Sequence, residues 1–216
     1  MDGNDRFGER EMKIMFYKII EAYYILRKKN IVHHDVTSYN ILVESPEKVK
    51  IIDFEHSSVF EKKIKGMLQK VLPTKWVTPL FLSPELKTWT LLANTLSSLF
   101  IKYNPFKSDV FSIGLSLLDA CGIDIKGLNE FGKFYHIHIK ELLTINYNYI
   151  VNDSLRRISY RILRDELQNT INKKIEDFPY DFLKQTLRKM LEVDFIKRAS
   201  IKSIFKHAKH FMQILD

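Results

Sequence analysis

Cysteine is nearly absent from this chain: Cys121 is the single one in 216 residues. No internal disulfide can form, and a reducing setting, intracellular and cytoplasmic, is the expectation. Cys121 falls in Leu117-Leu118-Asp119-Ala120-Cys121, where a buried structural thiol is expected, not a nucleophile. Glycine and proline are also sparse, at seven and six, and they cluster into no low-complexity tract, repeat or clear linker. No uninterrupted apolar run approaches the roughly 20 residues that a membrane span requires. The leader Asp2 to Glu9 is polar, so neither a transmembrane helix nor a secretory signal is expected.

What is present suits one globular unit. A hydrophobic content of 45% over 216 residues can bury a single substantial core. Basic residues outnumber acidic ones 34 to 26, a formal charge of +8, with clusters at Arg27-Lys28-Lys29, Lys62-Lys63-Ile64-Lys65 and Lys202 to Lys209. Such an excess suits an acidic peptide, a membrane surface or nucleic acid. No base-stacking aromatics recur at a fixed spacing, so solvated faces are the expected account and no nucleic-acid partner is expected. His136-Ile137-His138 lacks a third patterned ligand, which argues against a metal site there.

Helical spacing dominates the chain. Met12, Met15, Phe16, Ile19, Tyr23 and Leu26 recur as one face of a helix over Glu11 to Lys29. Further helices are expected over Ser154 to Lys174, Tyr180 to Glu192 and Ser200 to Leu215, with Ser200 as an N-cap. Glu130 to Ile145 forms another segment, and Leu91 to Ile101 reads as an inserted helix or loop. Two apolar stretches, Ile41 to Val43 and Val49 to Ile52, flank the turn-like Glu44-Ser45-Pro46-Glu47-Lys48 and predict a short hairpin.

That hairpin sits inside the most informative run, His33-His34-Asp35-Val36-Thr37-Ser38-Tyr39-Asn40 followed by Asp53-Phe54-Glu55. Taken singly, Asp and Asn are ordinary loop formers. Taken as an ordered set, Asp35, Asn40 and Asp53 are hard oxygen donors that the hairpin would gather at one end, the donor type that magnesium prefers. Phosphoryl transfer needs such a metal site, together with a carboxylate that orients the attacking hydroxyl.

The run resembles the H-R-D-L-x-x-x-N loop and D-F-G segment of protein kinases, of the serine/threonine type. His34 stands where Arg is usual and Glu55 where Gly is usual. Thr78 to Glu85 (TPLFLSPE) resembles the T-x-x-Y-x-A-P-E segment, Asp109 to Gly114 the D-V-W-S-L-G helix start, and Leu191 to Arg198 the L-x-x-D-P-x-x-R turn. The resemblance implies a mainly α fold: the large C-terminal lobe over residues 1–216, a helical bundle with a short β-hairpin carrying the catalytic loop 33–40, and an activation segment at 53–85. It also implies that Asp35 orients the substrate hydroxyl, that Thr78 lies beside it, and that Asn40 and Asp53 bind Mg2+ and through it ATP. Glu85 and Arg198 are implied as a buried ion pair.

No glycine-rich phosphate loop and no V-A-I-K-like strand occurs, so the small N-terminal lobe is expected to be absent, and phosphoryl transfer by these 216 residues alone very slow. The uncovered lobe face is expected to take a partner or to self-associate. Ser57, Ser58 and Thr74 in the activation segment are candidate phosphorylation sites that read equally as polar loop residues. Three functional classes follow: a protein kinase acting on protein Ser/Thr hydroxyls, a pseudokinase-like docking module, and a small-molecule phosphotransferase of related fold. His34, Thr37 and Glu55 favour the second, and Ile52-Asp53-Phe54-Glu55 the third.

Overall fold

The computed structural model describes residues 7–60, 78–87, 104–128 and 153–213, with the side chains of 153–160 outside that description. Thr74, the expected insertion at Leu91 to Ile101, the segment Glu130 to Ile145 and His136-Ile137-His138 lie outside the described residues.

The first helix, α1 (Glu9–Lys28), buries Met12, Met15, Phe16, Ile19 and Tyr23 of the stripe that its sequence spacing predicts, together with Ile20, while Leu26 is only partly buried. Complete burial of side chains such as Phe16 and Ile20 contributes about 1.5–3 kcal/mol each. Its start is held by the Glu11 carboxylate, which accepts the Gly8 N–H at 2.8 Å. Arg27 and Lys28 at the other end meet the negative pole of the helix dipole.

After α1 the chain forms β1 (Ile31–Val32), a 3-10 turn over Ser38–Asn40, β2 (Ile41–Ser45), β3 (Lys48–Ile51) and β4 (Ser58–Val59). Strands β2 and β3 pair antiparallel with Ile41 opposite Ile51, and an irregularity between Val43 and Ser45 leads into the turn. Strands β1 and β4 form a second antiparallel pair, Val32 opposite Ser58.

Helix α2 (Pro105–Ala120) is the buried axis of the lobe, enclosed along Ser108 to Leu118. Asn104 caps it by accepting the Lys107 N–H at 3.2 Å, and Pro105 occupies a first-turn position where no amide hydrogen is missed. A helix with no solvent face must satisfy its own polar side chains. Accordingly the Ser112 hydroxyl donates to the Ser108 carbonyl at 3.2 Å and that of Ser116 to the Ser112 carbonyl at 2.8 Å. At Gly114 an added Cβ would fall 2.8 Å from Leu191, so glycine there permits the close approach of the turn that carries Arg198. The helix ends through Gly122 at φ 77°, and Cys121 is therefore only half-buried, a correction to the buried thiol that the sequence suggests.

Helices α3 (Asp153–Glu176), α4 (Asp181–Met190) and α5 (Ile201–Gln213) complete the described bundle. Helix α5 packs along α1, and Leu183, Leu187, Met190, Ile201 and Ile204 join the same core as Phe16 and Ile113. The fold is thus mainly α with small antiparallel sheets, as the sequence predicts.

Glu85 and Arg198 meet across the molecule. The guanidinium donates to the two carboxylate oxygens at 2.7 and 2.9 Å, and also to the carbonyls of Glu192, Lys107 and Val193 at 2.8, 3.0 and 3.3 Å. Its face lies 4.7 Å from the Phe111 ring centre.

Candidate active site

Residues 33–40 form a loop pinned at both ends by β structure. The β1–β4 pair ties the approach to His33 to the chain just beyond Asp53, while β2 and β3 start and finish beside Asn40 and Ile52. The Ile52 N–H donates to the Asn40 carbonyl at 3.0 Å, so Asp53 follows directly on the residue that faces Asn40. Within the loop Thr37 caps the 3-10 turn, its hydroxyl oxygen accepting the Asn40 N–H at 3.2 Å. The Asn40 side-chain amide then donates to the Asp35 carbonyl at 2.9 Å. This bond orients Asn40 and leaves its Oδ1 for a cation.

Asp35 is buried, and its Oδ1 accepts the backbone N–H of Thr78 at 2.9 Å. The Thr78 contact with Asp35 therefore runs through the main chain. Asp53 is exposed and has φ 63°, and His34 has φ 70°; both are left-handed conformations uncommon outside glycine. Two such positions in one site mean that surrounding bonds hold the backbone where local preference would not.

The bonds that hold it converge on Asp109, at the start of the second turn of α2. Its Oδ2 accepts the His33 N–H at 2.8 Å and its Oδ1 the His34 N–H at 3.1 Å. Burial pushes this carboxyl up to about 7, opposed by the two backbone donors. Sequence reasoning placed Asp109 at the start of a buried helix and missed its hold on the loop; a carboxylate within an otherwise apolar helix was the available signal. His33 completes the floor, with Nε2 3.0 Å from the Ile52 carbonyl and its ring 4.9 Å from that of Phe54.

His34 points the other way, its Nε2 2.6 Å from the Ser58 hydroxyl. Burial, then the neighbouring His33 and His56, depresses its pKa to about 4, so the ring is neutral at neutral pH. In the unfolded chain the same ring titrates near 6.5. The unfolded state therefore takes up the proton first, and stability is lost as pH falls from about 6.5 towards about 4. The expected loss between pH 7 and pH 4.5 is about 2–3 kcal/mol from this residue. Asp109 acts with the opposite sign, weakening the folded state as pH rises from about 4 to about 7. Urea unfolding of the natural chain and of His34→Asn at both pH values separates the two, since Asn tolerates positive φ and removes only the His34 contribution. An equal pH dependence in both chains contradicts the assignment.

The donor set suits magnesium. Among the described residues no cluster of three or more His, Cys, Asp or Glu side chains is placed to hold a metal. A magnesium ion carried by nucleotide phosphates needs only one or two protein oxygens, and Asn40 and Asp53 are of that type.

Comparison with known proteins agrees with this arrangement. The sequence matches the protein kinase domain over residues 2–209. The chain belongs to the protein kinase family. This kinase-family chain is 32% identical over 117 residues to a Trypanosoma brucei brucei protein named for serine/threonine-protein kinase B, covering 54% of this chain and 24% of that protein. It is 35% identical over 81 residues to NUAK family SNF1-like kinase 1 of Homo sapiens, 38% of this chain and 11% of the relative. With serine/threonine-protein kinase pakG of Dictyostelium discoideum it shares 25% over 113 residues, 51% of this chain and 8% of that one. It thus spans a quarter or less of the length of each of these relatives. No helix among the described residues is long and apolar enough to cross a membrane.

Proposed function

We propose that this chain transfers the terminal phosphoryl group of ATP to serine or threonine hydroxyls of proteins. The observation that carries the reading is the position of Asp35: its carboxylate is fixed by the Thr78 N–H, and its carbonyl by Asn40, on a loop that Asp109 anchors. In the reaction the bond from the terminal phosphorus to the ADP oxygen breaks, a bond to the substrate oxygen forms, and the hydroxyl proton passes to the Asp35 carboxylate. Asn40 Oδ1 and the Asp53 carboxylate would hold the magnesium that accompanies ATP, which when bound neutralises phosphate charge. Thr78 positions the carboxylate through its backbone N–H.

These 216 residues include no V-A-I-K-like strand, so the phosphates would be held from the large-lobe side and transfer by this chain alone would be slow. Transfer from radiolabelled ATP to a mixed serine/threonine peptide library tests the proposal. Asp35→Asn should lower the rate about 10²- to 10⁴-fold, the usual contribution of a positioned acid or base. Equal rates in the two chains would remove Asp35 from the mechanism.

A second reading, a docking module without transfer, is favoured by the exposure of Leu42, Val43, Ile52 and Phe54 around the same site. A chain that transfers no phosphate at all, yet self-associates through this face until Leu42→Ser and Phe54→Ser disperse it, would decide for that reading.

A further inference from the structure

Away from the catalytic loop, the end of α1 and the starts of α2 and α5 enclose a cavity of about 380 Å³. Its lining includes Arg27, Lys28, Lys107 and Lys202, and contains no carboxylate. Among the described residues none of these four cations forms an ion pair, although carboxylates pair with Lys13, Lys18, Lys48 and Lys184 elsewhere.

Two of the four have structural duties. Arg27 donates to the Asn30 side chain at 2.9 Å and lies 4.0 Å over the Phe106 ring, while Lys107 donates to the carbonyls of Phe195 and Ile196 at 2.9 and 2.8 Å. Lys28 and Lys202 have none of that strength. Lys28 has only the Tyr24 ring at 6.0 Å, and Lys202 is the second residue of α5, where the positive pole of the helix disfavours a cation. Neither α2 nor α5 carries an acidic residue in its first turn, the place where a carboxylate would be stabilising. Four like charges therefore converge with two positive helix ends around one cavity. On its own this arrangement is repulsive, and an anion in the cavity would relieve it.

The volume falls in the range of small-molecule sites, not of a macromolecular face. Four cations suit a ligand that carries more than one phosphate. We propose that this cavity is a binding site for a small multiply charged phosphate compound, separate from the catalytic centre. None of Asp35, Asn40, Asp53 and Thr78 contributes to its walls, and magnesium has no part in it. The guanidinium over Phe106 is of the type that contacts phosphate oxygens with more than one N–H.

Calorimetric titration of the chain with sodium tripolyphosphate, in magnesium-free buffer containing a chelator, tests the proposal. Saturable binding to one site is expected, weakening as salt rises and unchanged in Asp53→Ala. The double variant Lys28→Glu/Lys202→Glu, at two exposed positions, should weaken binding at least about tenfold, whereas Lys209→Glu, outside the cavity, should change it by less than about twofold. Should the charge reversals unfold the chain, Lys28→Gln with Lys202→Gln supplies the same comparison. Absence of saturable binding, equal weakening by Lys209→Glu, or loss in Asp53→Ala would overturn the assignment. A peptide with a single phosphoserine, titrated alongside, should bind more weakly; tighter binding would reject the small-molecule ligand in favour of a phosphorylated protein segment.

Discussion

Arg198→Ala is expected to lower the unfolding free energy by about 3–5 kcal/mol, the range for breaking a buried ion pair from one side. The loss has three sources. The Glu85 carboxylate, 7% exposed as a side chain, would keep its charge without its bidentate partner. The carbonyls of Glu192, Lys107 and Val193 would lose a donor each. The space above Phe111 would empty. The net worth of the pair is smaller than the cost of breaking it, because both charges were taken out of water to form it. A double change of Glu85 and Arg198 to uncharged residues should therefore cost less than Arg198→Ala alone. Arg188→Ala is the control: its pair with Glu176 is solvent-exposed, and its removal should cost about 0.5 kcal/mol or less. Urea unfolding of the three variants checks the ranking, and an Arg198→Ala loss as small as that of Arg188→Ala would refute it.

Asp109→Ala should be comparably severe, and its effect should be felt at the catalytic loop. Both carboxylate oxygens are in use, one for each of two successive backbone N–H groups, and the alanine would leave the His33 and His34 donors buried without acceptors. At about 1–3 kcal/mol for each orphaned group, the expected destabilisation is about 2–5 kcal/mol. Asp109→Asn should be intermediate, since its single carbonyl oxygen can serve one donor while its amide nitrogen faces the other. Hydrogen exchange distinguishes this account from general loosening: the amides of His33 and His34 should lose protection ahead of those in α4. Uniform loss across both regions would show that Asp109 supports the core and not the loop.

The sequence made the helices legible where an apolar stripe had a helical period and a polar face to contrast with it. In α1 the boundaries shift by only one or two residues, because Glu9 extends a pattern already anchored by Phe16, and α5 starts at Ile201, next to the expected cap at Ser200, on a pattern anchored by Ile204. The hairpin was legible for the corresponding reason: Pro46 and Glu47 interrupt two apolar stretches, and the strands differ from expectation in reaching Ser45, starting at Lys48 and ending at Ile51. The β1–β4 pair was not. Two residues on each side are too few to show alternation, and Ser58–Val59 carries no turn signal that separates it from the following segment. For the site, Asp35, Asn40 and Asp53 announced themselves by residue type and spacing, but what fixes them did not. Asp109 lies 76 positions from His33 in sequence, and no local pattern specifies whose amides a buried carboxylate will accept. Cys121 shows the same limit in reverse: its apolar neighbours suggest burial, while the turn at Gly122 decides exposure.

Magnesium-dependent ATP binding to the 216-residue chain, compared with that of Asp53→Ala, tests the central claim most directly. Asp53 is exposed and outside the core, so its replacement should lower the unfolding midpoint only slightly, through the greater cost of alanine at its φ of 63°. The account predicts that ATP binds the natural chain in the presence of magnesium, weakens at least about tenfold when the metal is chelated, and weakens by a similar factor in Asp53→Ala with magnesium present. Binding that is indifferent to both the metal and Asp53, or no binding to the folded natural chain, would contradict it.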